Sequence, residues 1–82
     1  MRLDKYLKVS RLIKRRTVAQ EAASAERVSV NGKVVKPAYQ LKVGDVITIR
    51  FGTSELSVRV LSLNEKAKKE EAGLMYEVVS EN

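Results

Sequence analysis

Apolar positions recur at helical spacing in two segments near the start of the chain. In residues 1–9 one side of a helical wheel is basic and the other is apolar, and the apolar positions are Leu3, Tyr6 and Leu7. Residues 17–25 carry a broad stripe of small apolar side chains, which consists of Val18, Ala19, Ala22, Ala23 and Ala25. Three residues are predicted to face away from this stripe: Gln20, Glu21 and Ser24. The pattern predicts two short helices, the second packed closely against a neighbouring element.

The apolar period changes from 3.6 to 2 at Arg27, which indicates that the chain enters a sheet there. The dipeptide Asn31-Gly32 predicts a two-residue type I′ hairpin turn, because that turn needs positive φ at both of its positions. The return arm is predicted over 33–35. Further strands are predicted over 46–51, 55–63 and 74–78. The polar segment 64–73 predicts a solvated loop or one frayed helical turn.

These elements predict an α+β domain in which two N-terminal helices pack on one side of a small, mainly antiparallel sheet. We expect Tyr6 and Phe51 to lie in the core, because both stand on apolar stripes. Eighty-two residues are enough for one small domain, and its modest core leaves little room for an internal substrate cavity.

Two residue types that dominate catalytic and metal sites are absent from the chain. It has no Cys and no His, which removes the thiol nucleophile, the commonest metal ligands and the commonest general base. Asp45 and Glu21 have no second carboxylate at motif spacing. We therefore expect no catalytic activity, no metal and no cofactor. The lack of Cys, of a signal segment and of a long apolar span favours the cytoplasm.

The positive charge of the chain is confined to its first fifth. The net charge is +6, and residues 1–16 hold seven of the sixteen cations but one of the ten acids. This segment therefore accounts for the whole excess, and residues 17–82 are neutral overall. A cationic surface concentrated in this way indicates a polyanionic partner.

Four motifs follow one another between Arg2 and about Phe51: RLDKYL, KRRTVAQEAA, RVSVNGKVVKP and VGDVITI. In this order they resemble the RNA-binding domain named after ribosomal small-subunit protein S-four, also called the alpha-L RNA-binding domain. The Asn-Gly hairpin alone is not specific, and the helix pair before it makes the combination characteristic. The resemblance implies one RNA-binding domain over 1–82, with the motif core in 2–51 and C-terminal strands in 52–82.

Free-standing members of this family with a similar size are associated with ribosomes. They include a heat-shock protein that binds large subunits carrying stalled nascent chains, and a shorter relative from the bacterial ribosome quality-control pathway. The chain lacks the longer basic tail of the heat-shock protein, which favours the shorter relative. The resemblance implies binding to ribosomal RNA and tRNA on the large subunit, in support of C-terminal alanine tailing. A generic role in binding structured RNA or in ribosome assembly is the alternative.

Two positions depart from the family pattern, and both lie at the ends of the second predicted helix. Arg15 stands where the family has a small polar residue, so the sequence favours Thr17 as the N-cap. Glu26 stands where the family has the glycine that usually ends this helix.

Nine cations are predicted to contact RNA, and they are Arg2, Lys5, Lys8, Arg11, Lys14, Arg15, Arg16, Lys33 and Lys36. Arg2, Arg15 and Arg16 are the strongest candidates, because a guanidinium group binds phosphate in bidentate fashion and the second helix begins beside two of them. Lys33 and Lys36 flank the hairpin and are equally well explained as solubilising residues. The alternative for the whole set is a solvated helix face.

Aromatic residues are too few to build a platform on which bases stack, so a structured RNA recognised through phosphates and shape is favoured. A basic helix on an anionic membrane surface is the rival interpretation. It is disfavoured because Leu3, Tyr6 and Leu7 are expected to pack into the core. We expect a monomer without a membrane partner, since its two layers can cover their own apolar faces.

Overall fold

The structure, a computed structural model, describes residues 1–82 and contains three helices and one five-stranded sheet. In chain order the elements are α1 (Leu3–Val9), α2 (Arg16–Ser24), β1 (Val28–Val30), β2 (Lys33–Val34), β3 (Val46–Phe51), β4 (Ser54–Val60), α3 (Lys69–Ala72) and β5 (Tyr76–Glu81). The strands lie in the order β2-β1-β3-β4-β5, and every neighbouring pair is antiparallel. The predicted α+β class is confirmed.

The core lies between the helices and one face of the sheet. Leu3, Tyr6 and Leu7 of α1 are fully buried, as predicted, and they join Ile47 and Ile49 of β3 in one apolar cluster. The opposite face of the sheet is polar: Ser29, Thr48 and Ser57 stand side by side on β1, β3 and β4. The Thr48 and Ser57 hydroxyls are hydrogen-bonded at 2.8 Å. The sheet is therefore covered by helices on one side alone.

The hairpin between β1 and β2 turns at Asn31 and Gly32, whose φ angles of 52° and 85° confirm the predicted turn. The Asn31 side chain also reaches the start of β3. Its Oδ1 accepts a hydrogen bond from the Val46 N–H at 2.9 Å, and its Nδ2 donates to the Asp45 carboxylate at 3.1 Å. Asn31 thus fixes the hairpin against the central strand.

Helix α2 begins at Arg16, with Arg15 at the N-cap and no side chain capping it. The prediction of Thr17 as the cap is wrong, because Thr17 lies inside the first turn. At the other end, Glu26 has a φ of 61°, the left-handed conformation that glycine adopts most easily. Its N–H donates to the Ala23 carbonyl at 3.1 Å, and the N–H of Arg27 donates to the Ala22 carbonyl at 3.0 Å. This pair of bonds is the Schellman motif.

The apolar stripe of α2 is narrower than the sequence predicts. Ala19 and Ala23 are buried, but Val18 is 45% exposed and Ala25 is exposed as well. Ala19 and Ala23, four residues apart, form a single ridge that faces the core, and the half-buried Ala22 packs beside it. Gln20, predicted to face solvent, is half-buried beside α1.

Two predictions for the strands are wrong. Phe51 is 48% exposed, because it is the last residue of β3 and pairs with Ser54 beside the turn, outside the core cluster. The last strand, predicted from Leu74, begins at Tyr76: Leu74 is 72% exposed, whereas its neighbour Met75 is 1% exposed and enters the core. The segment 64–73 contains one helical turn, α3, in agreement with the prediction.

Candidate nucleic-acid interface

A buried carboxylate lies at the centre of the basic N-terminal surface. Asp4, in the first turn of α1, is 0% exposed. Its carboxylate accepts hydrogen bonds from Arg2 through Nε at 3.2 Å and Nη2 at 3.1 Å, and from Gln20 at 2.9 Å. Arg16 approaches it with Nε at 3.4 Å, and the Lys5 backbone N–H donates at 2.8 Å. We call Asp4, Arg2, Arg16 and Gln20 the Asp4 cluster.

The backbone around the Asp4 cluster is held by a segment from the middle of the chain. Arg2 forms an isolated antiparallel bridge with Gln40. The Leu3 N–H donates to the Tyr39 carbonyl at 2.8 Å, and the Asp4 N–H donates to the Pro37 carbonyl at 3.1 Å. These bonds satisfy N–H groups that the first turn of α1 leaves without helical partners. The position of Arg2 is therefore fixed by tertiary contacts.

The charge of the Asp4 cluster remains positive. Burial raises the pKa of the Asp4 carboxyl, but hydrogen bonds from Gln20, Arg16 and the Lys5 backbone, together with the Arg16 charge, outweigh it and lower that pKa below 3.8. Asp4 is thus ionised at neutral pH, and two guanidinium groups face one carboxylate. The Arg2 and Arg16 side chains remain 44% and 42% exposed, so both can still meet a ligand from solvent.

Three further predicted cations line a separate cleft of about 520 Å³ between the end of α1, the α1–α2 connection and the segment after β4. Its lining residues are Lys8, Val9, Arg11, Lys14, Glu65 and Ala67, and we call it the basic cleft. The side chains of Lys8, Arg11 and Lys14 form no ion pair or hydrogen bond within the chain. Arg11 has a φ of 63°, an uncommon backbone conformation for a residue other than glycine. The cleft therefore has cations without internal partners.

The remaining predicted cations are less concentrated. Lys5 pairs with Glu65 at 3.1 Å, across the rim of the basic cleft. Arg15 is exposed at the N-cap of α2, where the first N–H groups of the helix have no side-chain cap. The Pro37 carbonyl accepts a hydrogen bond from the Asp4 backbone N–H, so Lys36, the residue before Pro37, lies near the start of α1. Lys33 lies in the sheet, on β2, where it pairs with Val30 beside the hairpin turn.

Sequence reasoning located the cations but missed Asp4 and Gln20. Asp4 is the one acid among the first sixteen residues. An isolated acid in the first helical turn, among seven cations, is a signal that could have identified it as their shared partner. Gln20 offers no comparable signal, because a polar residue on a helical wheel is expected to face solvent.

The arrangement suits the binding of anions and offers little else chemically. No three metal-ligating side chains stand close enough together to hold an ion. No helix in the fold has the length and apolar character needed to cross a bilayer. Among the aromatic residues, Tyr6 is buried, and the exposed Tyr39 and Phe51 belong to different segments: the Tyr39 carbonyl accepts from the start of α1, and Phe51 is the last residue of β3. Phosphate groups are the ligands that these side chains would bind best.

Known protein sequences similar to this chain agree with that chemistry. A family model described as the S4 domain matches residues 1–47. The RQC P-site tRNA stabilizing factor of Streptococcus pneumoniae is 57% identical over 81 residues, which cover 99% of this chain and 92% of that protein. The protein of the same name from Bacillus subtilis is 52% identical, with 99% and 94% covered. Heat shock protein 15 of Escherichia coli is 34% identical over all of this chain, but over 62% of its own length.

A solved structure has the same fold. Heat Shock Protein 15 from Vibrio cholerae, whose structure is described as trimeric, superposes with a TM-score of 0.88 at 28% sequence identity. The superposition covers 98% of this chain and 82% of that one, so it includes the C-terminal strands as well as the helix pair.

Proposed function

Because the chain belongs to the S4 domain family, the RNA-binding family that its motifs resemble, we propose that it binds RNA on the large ribosomal subunit and stabilises a tRNA in the P site during ribosome quality control (RQC). The observation that carries the proposal is similarity over nearly the whole chain, at 52–57% identity, to proteins named RQC P-site tRNA stabilizing factor. Heat shock protein 15, the more distant relative, is matched over a smaller share of its own length.

The basic helix pair is the surface with which the protein would hold RNA. Arg2 and Arg16 supply guanidinium groups beside Asp4, and the basic cleft supplies Lys8, Arg11 and Lys14. Arginine binds phosphate oxygens through paired N–H groups, whereas lysine acts as a point charge. Two kinds of cationic site on adjacent surfaces fit a folded RNA, whose phosphates approach a protein from more than one strand.

The proposed action is binding without chemistry by the protein itself. The chain has no Cys and no His, and no three of its carboxylate side chains stand close enough together to hold a metal ion, so we assign it no catalytic step. By binding an RNA assembly better when a tRNA occupies the P site, it shifts the population toward that occupied state. Addition of C-terminal alanine residues to the stalled chain would then proceed on a subunit that retains its peptidyl-tRNA. This role places the protein in the cytoplasm, with the ribosomes.

Sedimentation of purified large subunits tests the proposal. Wild-type protein should pellet with subunits that carry peptidyl-tRNA in preference to empty subunits, at near-physiological salt. Arg16→Ala should weaken this binding and reduce the slope of log affinity against log salt by roughly one, since one phosphate contact is lost. Arg50→Ala, which removes an exposed arginine from the polar face of the sheet opposite the helices, is the matched control and should change neither quantity.

Three outcomes would contradict the proposal at different levels. Equal binding to empty and occupied subunits would exclude the P-site role but leave binding to ribosomal RNA. Equal losses in Arg16→Ala and Arg50→Ala would mean that net charge drives the binding and that no defined site exists. Binding to neither kind of subunit would exclude the ribosome as the partner.

A further inference from the structure

We propose that Asp4 is a positioning residue, which holds the guanidinium groups of Arg2 and Arg16 in a fixed arrangement for RNA phosphates. The inference rests on the proposed function, because it concerns how that RNA-binding surface is built. Asp4 itself cannot contact RNA, since it is 0% exposed and carries a negative charge. Its contribution would therefore pass through the two arginines.

The contacts show which edge of each guanidinium group faces the Asp4 carboxylate. Arg2 meets the two carboxylate oxygens of Asp4 through Nε and Nη2, at 3.2 and 3.1 Å. Arg16 approaches the same carboxylate through Nε at 3.4 Å and Nη2 at 3.5 Å. Both side chains thus direct their Nε edge inward. Both N–H groups of Nη1 and the second N–H of Nη2 are left free on each, and these are the donors available to a phosphate.

The other partners of Asp4 keep the carboxylate from rotating. Gln20 donates to Oδ2 at 2.9 Å, and the Lys5 backbone N–H donates to Oδ1 at 2.8 Å. These two donors belong to helices α2 and α1, so the carboxylate orientation is set by the packing of the two helices. A ligand then meets two arginines that are already ordered, and avoids the entropy cost of immobilising two long side chains.

This role predicts an effect opposite in sign to that of charge alone. Asp4→Asn removes a negative charge and raises the net charge from +6 to +7. If the arginines acted merely as charges, the variant would bind every polyanion more tightly. If Asp4 positions them, the variant binds its structured target more weakly although it is more positive.

The experiment compares two probes: large subunits carrying peptidyl-tRNA, and unstructured poly-uridylate. We expect Asp4→Asn to bind the subunits about tenfold more weakly than wild type, because two arginines lose their fixed orientation. Its affinity for poly-uridylate should be equal to that of wild type or higher. The matched control is Glu77→Gln, which makes the same change in charge by removing the exposed partner of Arg59 on the sheet, and it should stay within about twofold of wild type on both probes.

A second variant covers the case in which Asp4→Asn does not fold, as judged by circular dichroism. Arg16→Lys keeps the charge at an exposed position but cannot make the side-on contact with Asp4. We expect it to lose affinity for the subunits severalfold while its affinity for poly-uridylate is unchanged.

The result that would overturn the inference is a variant, Asp4→Asn or Arg16→Lys, that is folded and binds the subunits as tightly as wild type. Parallel losses on both probes would also overturn it, since they would indicate a general defect. Failure of the wild-type protein to bind subunits at all is a different result, and it would contradict the proposed function.

Discussion

The hydroxyl of Tyr6 donates a 2.6 Å hydrogen bond to the backbone carbonyl of Met75, 69 positions further along the chain. Burial, together with the nearby Tyr76, raises the pKa of the Tyr6 hydroxyl, which therefore stays protonated and remains a donor. The same carbonyl accepts from the Leu61 N–H at 2.8 Å. Tyr6 thus attaches the basic helix α1 to the segment that leads into β5.

Replacing Tyr6 with Phe should lower the free energy of unfolding by about 1 kcal/mol, because the Met75 carbonyl keeps the Leu61 N–H as a partner and no buried acceptor is left unpaired. Urea titration followed by circular dichroism would measure the loss. Tyr39→Phe is the control, since the Tyr39 ring is 38% exposed and its hydroxyl forms no hydrogen bond within the chain. A loss as large in the control would contradict the assignment.

Replacing Glu26 with Gly should stabilise the protein by about 1 kcal/mol, because a φ of 61° costs a side chain with a Cβ atom roughly that amount. The midpoint of thermal unfolding is the simplest measurement. Glu21→Gly, in the interior of α2, tests the opposite case and should destabilise by about 0.5–1 kcal/mol. Destabilisation by both changes would mean that the Glu26 side chain makes a contribution larger than its backbone strain.

Acid should weaken the fold partly through Asp4. Its pKa is lowered below 3.8 in the folded state, so near that pH the unfolded chain binds more protons than the folded one. The stability that Asp4 contributes is therefore present above pH 3.8 and is lost as the pH falls through the lower, folded-state pKa. Urea titrations from pH 7 down to about pH 2.5 would show the decline.

Asp4→Asn supplies the comparison for that pH series. Because asparagine does not titrate, the variant should lose less stability than wild type over the acid range. Parallel curves for the two proteins would show that Asp4 has the same pKa in the folded and unfolded states.

The positions of the helices, strands and turns along the chain could be predicted from short stretches of sequence, whereas the burial of individual side chains could not. Asn31 and Gly32 form the predicted turn because the positive φ that they accept is a property of those residues alone. Phe51 has the right alternation for the core but lies where β3 extends past the cluster, and no local pattern encodes how far the helices reach. The predicted core position of Tyr6 is confirmed.

The sequence predicts the positive charge of the candidate site, but it does not predict how the side chains of the site are arranged. The excess of cations in residues 1–16 located the surface, because net charge does not depend on the fold. The division into the Asp4 cluster and the basic cleft depends on which side of α1 meets α2. Asp4 faces Gln20 and Arg16 there, sixteen and twelve positions away, and contacts over such distances are set by helix packing.

The oligomeric state is open to a direct test, because the related structure from Vibrio cholerae is described as trimeric. We expect a monomer with a mass near 9.2 kDa at micromolar concentration, since helices of the same chain cover the apolar face of the sheet. Size-exclusion chromatography with light scattering would measure the mass. A stable species of three times that mass would show that the trimer is shared.

The left-handed backbone at Arg11 has a consequence for anyone who engineers this protein. Glycine at that position would relieve about 1 kcal/mol of strain, so directed evolution for heat resistance alone would favour it. The same exchange would remove a cation from the lining of the basic cleft. A library screened by melting temperature would then enrich robust variants with impaired RNA binding, and selection should include a binding step from the first round.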